Sequence, residues 1–288
     1  MSRFSRLLFV TATAVTSTLA LAAAEKPKVI YGDDNRAEYY QVNDPIRRQL
    51  ADSTVALMRA HNVTIKDGVA EFATEPYGTS YGLCSEEPYY NQETAAFCSG
   101  FLVAPDVVVT AGHCISSQTS CERIKFVFGF RLEGEGAQPR TTPADHVFSC
   151  KTLIHSVAKG QGEDFAVVRL DRPVTFAAPL AYRTRGQPEV GEALEVIGHP
   201  AGLPLKLANG ANVRSVQSEY MVANLDTYGG NSGSAVFNAS THEVEGVLVR
   251  GEADFDYRDG CAKSKRCTNG GCRGEDVTLF ERVLPYLQ

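Results

Sequence analysis

The sequence predicts an all-β protein, a sandwich or a barrel, and two observations carry that reading. From about residue 95 onward the apolar positions fall in short runs rich in β-branched and aromatic side chains, as in Phe101-Leu102-Val103, Val107-Val108-Val109 and Phe126-Val127-Phe128. More follow at Ala166-Val167-Val168, Leu194-Glu195-Val196-Ile197, Ala235-Val236-Phe237 and Val244 to Val249, with Gly, Pro, Asn and Asp between the runs. Neither an internal repeat nor a low-complexity tract interrupts them.

In chain order, residues 1–24 read as a signal peptide. Arg3 and Arg6 precede a mostly apolar stretch, Leu7 to Leu21, and Ala22-Ala23-Ala24 supplies small residues for cleavage. A membrane anchor is the competing reading, but the run is short and diluted by Thr11, Thr13, Thr16, Ser17 and Thr18. No later stretch is suited to cross a bilayer, so the mature form is expected to be soluble, without a membrane partner. Residues 25–45 are polar and read as an N-terminal arm or a short pro-segment. Ile46, Leu50, Val55, Leu57 and Met58 lie at roughly helical spacing, yet Ser53-Thr54-Val55 equally begins a strand. The end, Leu279 to Leu287, again reads as helix.

The net charge of −6 is modest, and the one basic cluster, Lys263, Lys265 and Arg266, reads as a solvated loop, so no nucleic-acid partner is expected. The eight cysteines, behind a signal peptide, read as disulfides formed in an oxidising compartment. Metal binding is disfavoured: Cys-x-x-Cys knuckles are missing and the six histidines are dispersed. Neither a metal nor a cofactor is expected. Asn62-Val63-Thr64 and Asn238-Ala239-Ser240 are glycosylation sequons where the host glycosylates.

Three motifs carry chemistry: Thr110-Ala111-Gly112-His113-Cys114, Asp164-Phe165-Ala166-Val167-Val168, and Gly229-Gly230-Asn231-Ser232-Gly233-Ser234. A serine hydroxyl attacks a carbonyl only when a base within hydrogen-bond reach takes its proton. Histidine suits that task near neutral pH, and a buried carboxylate holds the imidazole in the right tautomer. Each motif has a plainer reading: the glycine-serine run as a turn, His113 as a buried core histidine, and Asp171 as a rival to Asp164. Asp171-Arg172-Pro173 reads as a turn, whereas Asp164 leads directly into an apolar strand.

In this order the motifs resemble the chymotrypsin/trypsin superfamily over roughly residues 95–288. The resemblance implies two six-stranded antiparallel β-barrels, the first over about 46–172, the second over about 173–275, and a C-terminal helix over about 277–288. It makes Ser232 the nucleophile, His113 the base and then acid, Asp164 the orienting group, and the amides of Gly230 and Ser232 the oxyanion donors. It pairs Cys98 with Cys114 around the histidine loop. Cys121 with Cys150 fits within the first barrel, and Cys84, Cys261, Cys267 and Cys272 allow several pairings.

Departures from animal trypsins point to a bacterial branch that includes the staphylococcal glutamyl endopeptidase. Asn231 stands where trypsins carry an aspartate, Ser234 where they carry Gly, and the chain has no Trp. An uncharged Asn231 implies that the pocket does not depend on an amine–carboxylate switch at that residue, although Val29-Ile30 resembles a mature start and Lys28 a cut site. Ile197-Gly198-His199-Pro200 also suits this branch, with His199 structural. The substrate-binding candidates are Asp226, Thr227, Leu248, Val249, Arg250 and Gly251. Asp226 lies six residues before the serine, where trypsins bind Arg or Lys; Leu248 stands where the glutamyl branch has a histidine, with Arg250 the nearby cation. A basic preference is expected slightly ahead of an acidic one, with an apolar one open.

The expected protein is therefore a secreted or periplasmic monomeric serine endopeptidase acting on protein or peptide substrates. The rival is a catalytically weak or inactive protease-fold binding protein or toxin. An esterase of another fold would order its triad Ser, Asp, His.

Overall fold

The short β-branched runs fold as strands that close on themselves twice. The structure is a computed structural model that describes residues 29–287, so the expected signal peptide lies outside the described residues. In the first barrel, β1 (Thr54–Arg59), β2 (Cys98–Ala104), β3 (Val107–Thr110), β4 (Ile124–Phe128), β5 (Val147–Ala158) and β6 (Asp164–Leu170) lie in the order β4-β5-β6-β3-β2-β1, closed by β1 on β4. The second uses β7 (Ala193–Gly198), β8 (Lys206–Val216), β9 (Tyr220–Ala223), β10 (Ala235–Asn238), β11 (Val244–Arg250) and β12 (Glu275–Leu279). Its order, β7-β10-β11-β12-β9-β8 closed by β7 on β8, repeats the connectivity of the first. All these pairings are antiparallel.

Strand β11 explains how the barrels meet. Its period-two alternation sends Leu248 into the interior of the second barrel with Leu194, Val236 and Val277. Val247 and Val249 belong instead to the apolar cluster that fills the first barrel with Phe101, Val108 and Phe126. Both faces are therefore buried, and the barrel junction is apolar. Each such side chain contributes about 1.5–3 kcal/mol by leaving water.

Three segments outside the barrels differ from, or refine, the sequence expectation. Residues 45–59 satisfy both readings: helix α1 (Pro45–Asp52) starts with Pro45 in its first turn and Asp44 accepting from the Ile46 and Arg47 amides, then β1 begins at Thr54. The expected arm is woven into the second barrel. Ile30–Tyr31 pairs in parallel with Arg266–Cys267, and Arg36–Glu38 adds an edge strand to β8 through Lys206–Ala208. Lys206, buried there, donates to a Glu38 carboxylate oxygen at 3.1 Å. The expected C-terminal helix is replaced by β12 as far as Leu279 and then by two 3₁₀ turns, Phe280–Arg282 and Leu284–Tyr286. Pro285, with no amide hydrogen, cannot extend an α-helix there.

The disulfides are Cys98–Cys114, Cys121–Cys150, Cys84–Cys261 and Cys267–Cys272. The first two staple the first barrel. The Lys263, Lys265 and Arg266 cluster is not simply solvated: Lys263 meets Glu86 and Lys265 meets Glu252, each at 3.1 Å.

Candidate active site

His113 and Asp164 come from adjacent strands of one barrel. β3 ends at Thr110 and the chain turns through a 3₁₀ turn, Gly112–Cys114, that carries His113. β6, hydrogen-bonded to β3, begins at Asp164. The Asp164 carboxylate takes the histidine by two atoms: Oδ2 lies 2.7 Å from ring Nδ1, and Oδ1 accepts the His113 amide at 3.1 Å. With Nδ1 donating, Nε2 is the basic nitrogen of the neutral ring. The Asp164 backbone is fixed in turn by Thr278 on β12, whose hydroxyl accepts from its amide at 3.1 Å and donates to its carbonyl at 3.2 Å. Asp164 is 5% exposed, so its charge is shielded from water and its orientation is determined by these contacts.

Ser232 arrives from the second barrel on a turn that only glycines can make. Gly230 and Gly233 have φ of +87° and +88°. A Cβ on Gly230 would sit 2.7 Å from both the Gly202 amide nitrogen and the His199 carbonyl, and one on Gly233 would collide with Ser99 O and Thr110 Oγ1. The turn is thus pressed against the strand ends that lead to the histidine loop. The Ser99 amide donates to Ser232 O at 2.8 Å, and Ser99 Oγ donates to Gly230 O at 2.9 Å. The Cys98–Cys114 disulfide lies against the same carbonyl, with Cys114 Sγ 3.8 Å from Ser232 O. The Ala201 amide donates to Gly229 O at 2.5 Å. Because the peptide is trans, the Gly230 N–H points away from Ala201, opposite to that carbonyl.

His199 is fully buried in the loop beneath this turn. Burial lowers its pKa to about 3, so it is neutral, and Nδ1–H donates to Leu203 O at 3.1 Å. Its place is structural, as the sequence suggested. Asn231 forms no charge pair; its Oδ1 accepts from Ser234 Oγ at 3.3 Å. Val29 lies at residue 227, where its carbonyl accepts the Thr227 amide, rather than at residue 231.

The expected substrate-binding residues are placed differently from a trypsin-like pocket. Both Asp226 oxygens are engaged by the chain's own N-terminal segment: Oδ1 accepts the Tyr31 amide at 2.7 Å and Oδ2 the Asn35 amide at 2.9 Å. Burial, outweighing those two donors, raises its pKa to about 6. Thr227 is fully buried and donates to Glu275 Oε2 at 2.9 Å. Leu248 and Val249 are core residues, and Gly251 lies so close to the Glu275 carboxylate that a side chain would strike it. Arg250 Nε donates to Asp276 Oδ2 at 3.0 Å, within the protein, and not to Glu252. Sequence reasoning missed Glu275, Thr278 and Asp254, whose Oδ2 accepts the Gly229 amide at 2.9 Å. None lies in a motif, and only the fold brings them to these positions. Among the described residues, one group is placed to hold a metal, Cys98, His113 and Cys114, but its two sulfurs are bonded to each other and offer no thiolate.

Two barrels, a histidine–carboxylate pair on one and a glycine-bound serine on the other, frame this site, and the chain belongs to the trypsin-like peptidase domain family, whose profile matches residues 98–247. It is similar to the extracellular metalloprotease of Bacillus subtilis, 28% identical over 166 residues that cover 56% of this chain and 52% of that one. It is similar also to the trypsin of Sarcophaga bullata, 29% identical over 98 residues (33% of this chain, 35% of that one). The glutamyl endopeptidase of Bacillus licheniformis is 25% identical over 149 residues, covering 50% of this chain and 46% of that one. The chain thus spans a third to a half of the length of these relatives. A solved Glu endopeptidase in complex with MPD aligns at a TM-score of 0.49 and 17% identity, covering 89% of this chain and 97% of that one. Among the described residues no helix is long and apolar enough to cross a membrane.

Proposed function

We propose that this peptidase is a secreted or periplasmic serine endopeptidase that cleaves protein or peptide substrates through an acyl-enzyme, with residues 1–24 as its signal peptide and residues 46–288 as a monomeric protease domain. The observation that carries the reading is the two-atom grip of Asp164 on His113, at 2.7 Å from ring Nδ1 and 3.1 Å from the amide. That grip leaves Nε2 as the base for Ser232.

Ser232 Oγ attacks the scissile carbonyl while His113 Nε2 takes its proton. The carbonyl oxygen becomes an oxyanion, for which the amides of Gly230 and Ser232 are the donors; the tethered Gly229 carbonyl supports this by fixing which way the Gly230 amide points. His113 then gives the proton to the leaving amine, leaving an acyl group on Ser232. A water deprotonated by the same imidazole attacks that ester, and Ser232 recovers its proton. Asp164 stabilises the imidazolium in both halves. With Asp226 held by Tyr31 and Asn35, its carboxylate no longer supports a preference for Arg or Lys substrates.

The test is Ser232→Ala. It should lower kcat on a peptide substrate by about 10⁴-fold or more and leave the thermal midpoint within a few degrees of wild type. Retention of more than about a tenth of the activity would sink the assignment.

A further inference from the structure

β11 ends in a bulge: Leu248 faces Val277, but Arg250 already faces Asp276, the next residue on β12. A bulge bends its strand and re-aims the side chains beside it. Here the side chain concerned is Arg250. Its Nη1 lies 3.7 Å from Asp164 Oδ2, the same oxygen that meets His113 Nδ1. Nε donates to the buried Asp276 at 3.0 Å, Nη2 to Gly162 O at 2.5 Å, and Nη1 to Lys159 O at 3.4 Å. The guanidinium is therefore held by a carboxylate on β12 and by two carbonyls of the turn that leads into Asp164. Its carbon sits 5.9 Å from the Tyr220 ring. An arginine anchored at so many points is a fixed charge, not a solvated one.

We propose that Arg250 is a positioning residue of the triad, a fixed cation that orients Asp164 and limits how strongly that carboxylate stabilises the charged imidazole of His113. The proposal rests on the triad reading above. The surrounding charges leave Arg250 as the one that acts. Lys159, Glu163, Glu219 and Arg282, from the turns packed beside Asp164, pair with one another. Asp276 is shared between Arg250 and Arg273. The charge partners of Asp164 among the described residues are His113 and Arg250.

A cation beside Asp164 opposes protonation of His113, so its removal should let the ring hold its proton to higher pH. The acidic limb of the kcat/KM profile reports the base of the free enzyme. In Arg250→Gln that limb should move up by about half to one pH unit, and kcat at the plateau should fall about tenfold. Arg250→Lys, which keeps the charge, should return the limb to the wild-type position. Asp276→Asn removes the counter-anion and should move the limb down, which keeps the idea testable if Arg250→Gln folds poorly. A limb that stays put in both Arg250→Gln and Asp276→Asn, or that Lys moves as far as Gln, overturns the role of Arg250. Ser232→Ala measured alongside separates the two failures: activity surviving in it overturns the triad reading itself, and with it this proposal.

Discussion

The two barrels share one strand connectivity and differ in how their loops are held. The first is stapled within itself by Cys98–Cys114 and Cys121–Cys150, and it carries His113 on the turn after β3 and Asp164 at the start of the adjoining β6. The second gathers distant pieces around its serine turn. Val29–Asn35 docks on Asp226 and Thr227, Cys84 is tied to Cys261 across 177 residues, and Asp254 and Glu275 close in from the far end of the chain. The same scaffold therefore joins His113 to Asp164 at adjoining strand ends of one barrel and surrounds the Ser232 turn of the other with pieces drawn from across the chain.

Three perturbations test that contrast, ordered by expected effect on stability. The largest is removal of Cys84–Cys261, by replacing both residues with serine. The loop it closes is long, so chain entropy alone predicts a loss of about 5 kcal/mol, read as a drop in denaturant midpoint. Activity in the surviving folded fraction should change less than stability, because neither cysteine touches the triad. Loss of the chemistry at full stability would break the contrast between the barrels. Next comes the pair Cys98→Ser with Cys114→Ser. With a separation of 16 residues the expected loss is smaller, about 3 kcal/mol, yet kcat should fall at least tenfold because the bridge lies against the Ser232 carbonyl and beside His113. Unchanged kcat in that double variant would mean that the staple does not hold the histidine loop.

The smallest effect concerns the docked N-terminal segment and its pH dependence. Asp226 has a folded-state pKa raised from 3.8 to about 6, chiefly by burial. The folded protein thus binds this proton more tightly than the unfolded chain, and its stability falls as pH rises from about 4 to about 6. The contribution lost over that window is about 2–3 kcal/mol. In Asp226→Asn this part of the pH dependence should vanish, seen as a flatter thermal midpoint between pH 4 and 7. An identical slope in wild type and variant would show that the carboxylate is not buried against Tyr31 and Asn35.

What could be read from the sequence follows the same division. Strand runs such as Val107-Val108-Val109 and the three motifs around His113, Asp164 and Ser232 are local patterns, and each motif maps onto one strand end or one turn. Asp226 was misleading because its partners lie 195 and 191 residues away, and an aspartate's position relative to a serine cannot reveal which amides reach it. Leu279 to Leu287 read as a helix because the apolar spacing of Leu279, Val283, Leu284 and Leu287 suits one, but the strand register of β12 and the proline at 285 prevail. Arg250 looked like a substrate cation; the bulge that turns it to Asp164 leaves no sequence mark.

The central claim, that Ser232 is a nucleophile activated by His113, is tested most directly with a fluorophosphonate probe on purified, disulfide-intact protein. The wild type should be labelled at Ser232 alone, located by mass spectrometry of the digested adduct, and labelling should fall at least 10³-fold in His113→Ala. Absence of label on Ser232, or equal labelling in the two proteins, would contradict the account.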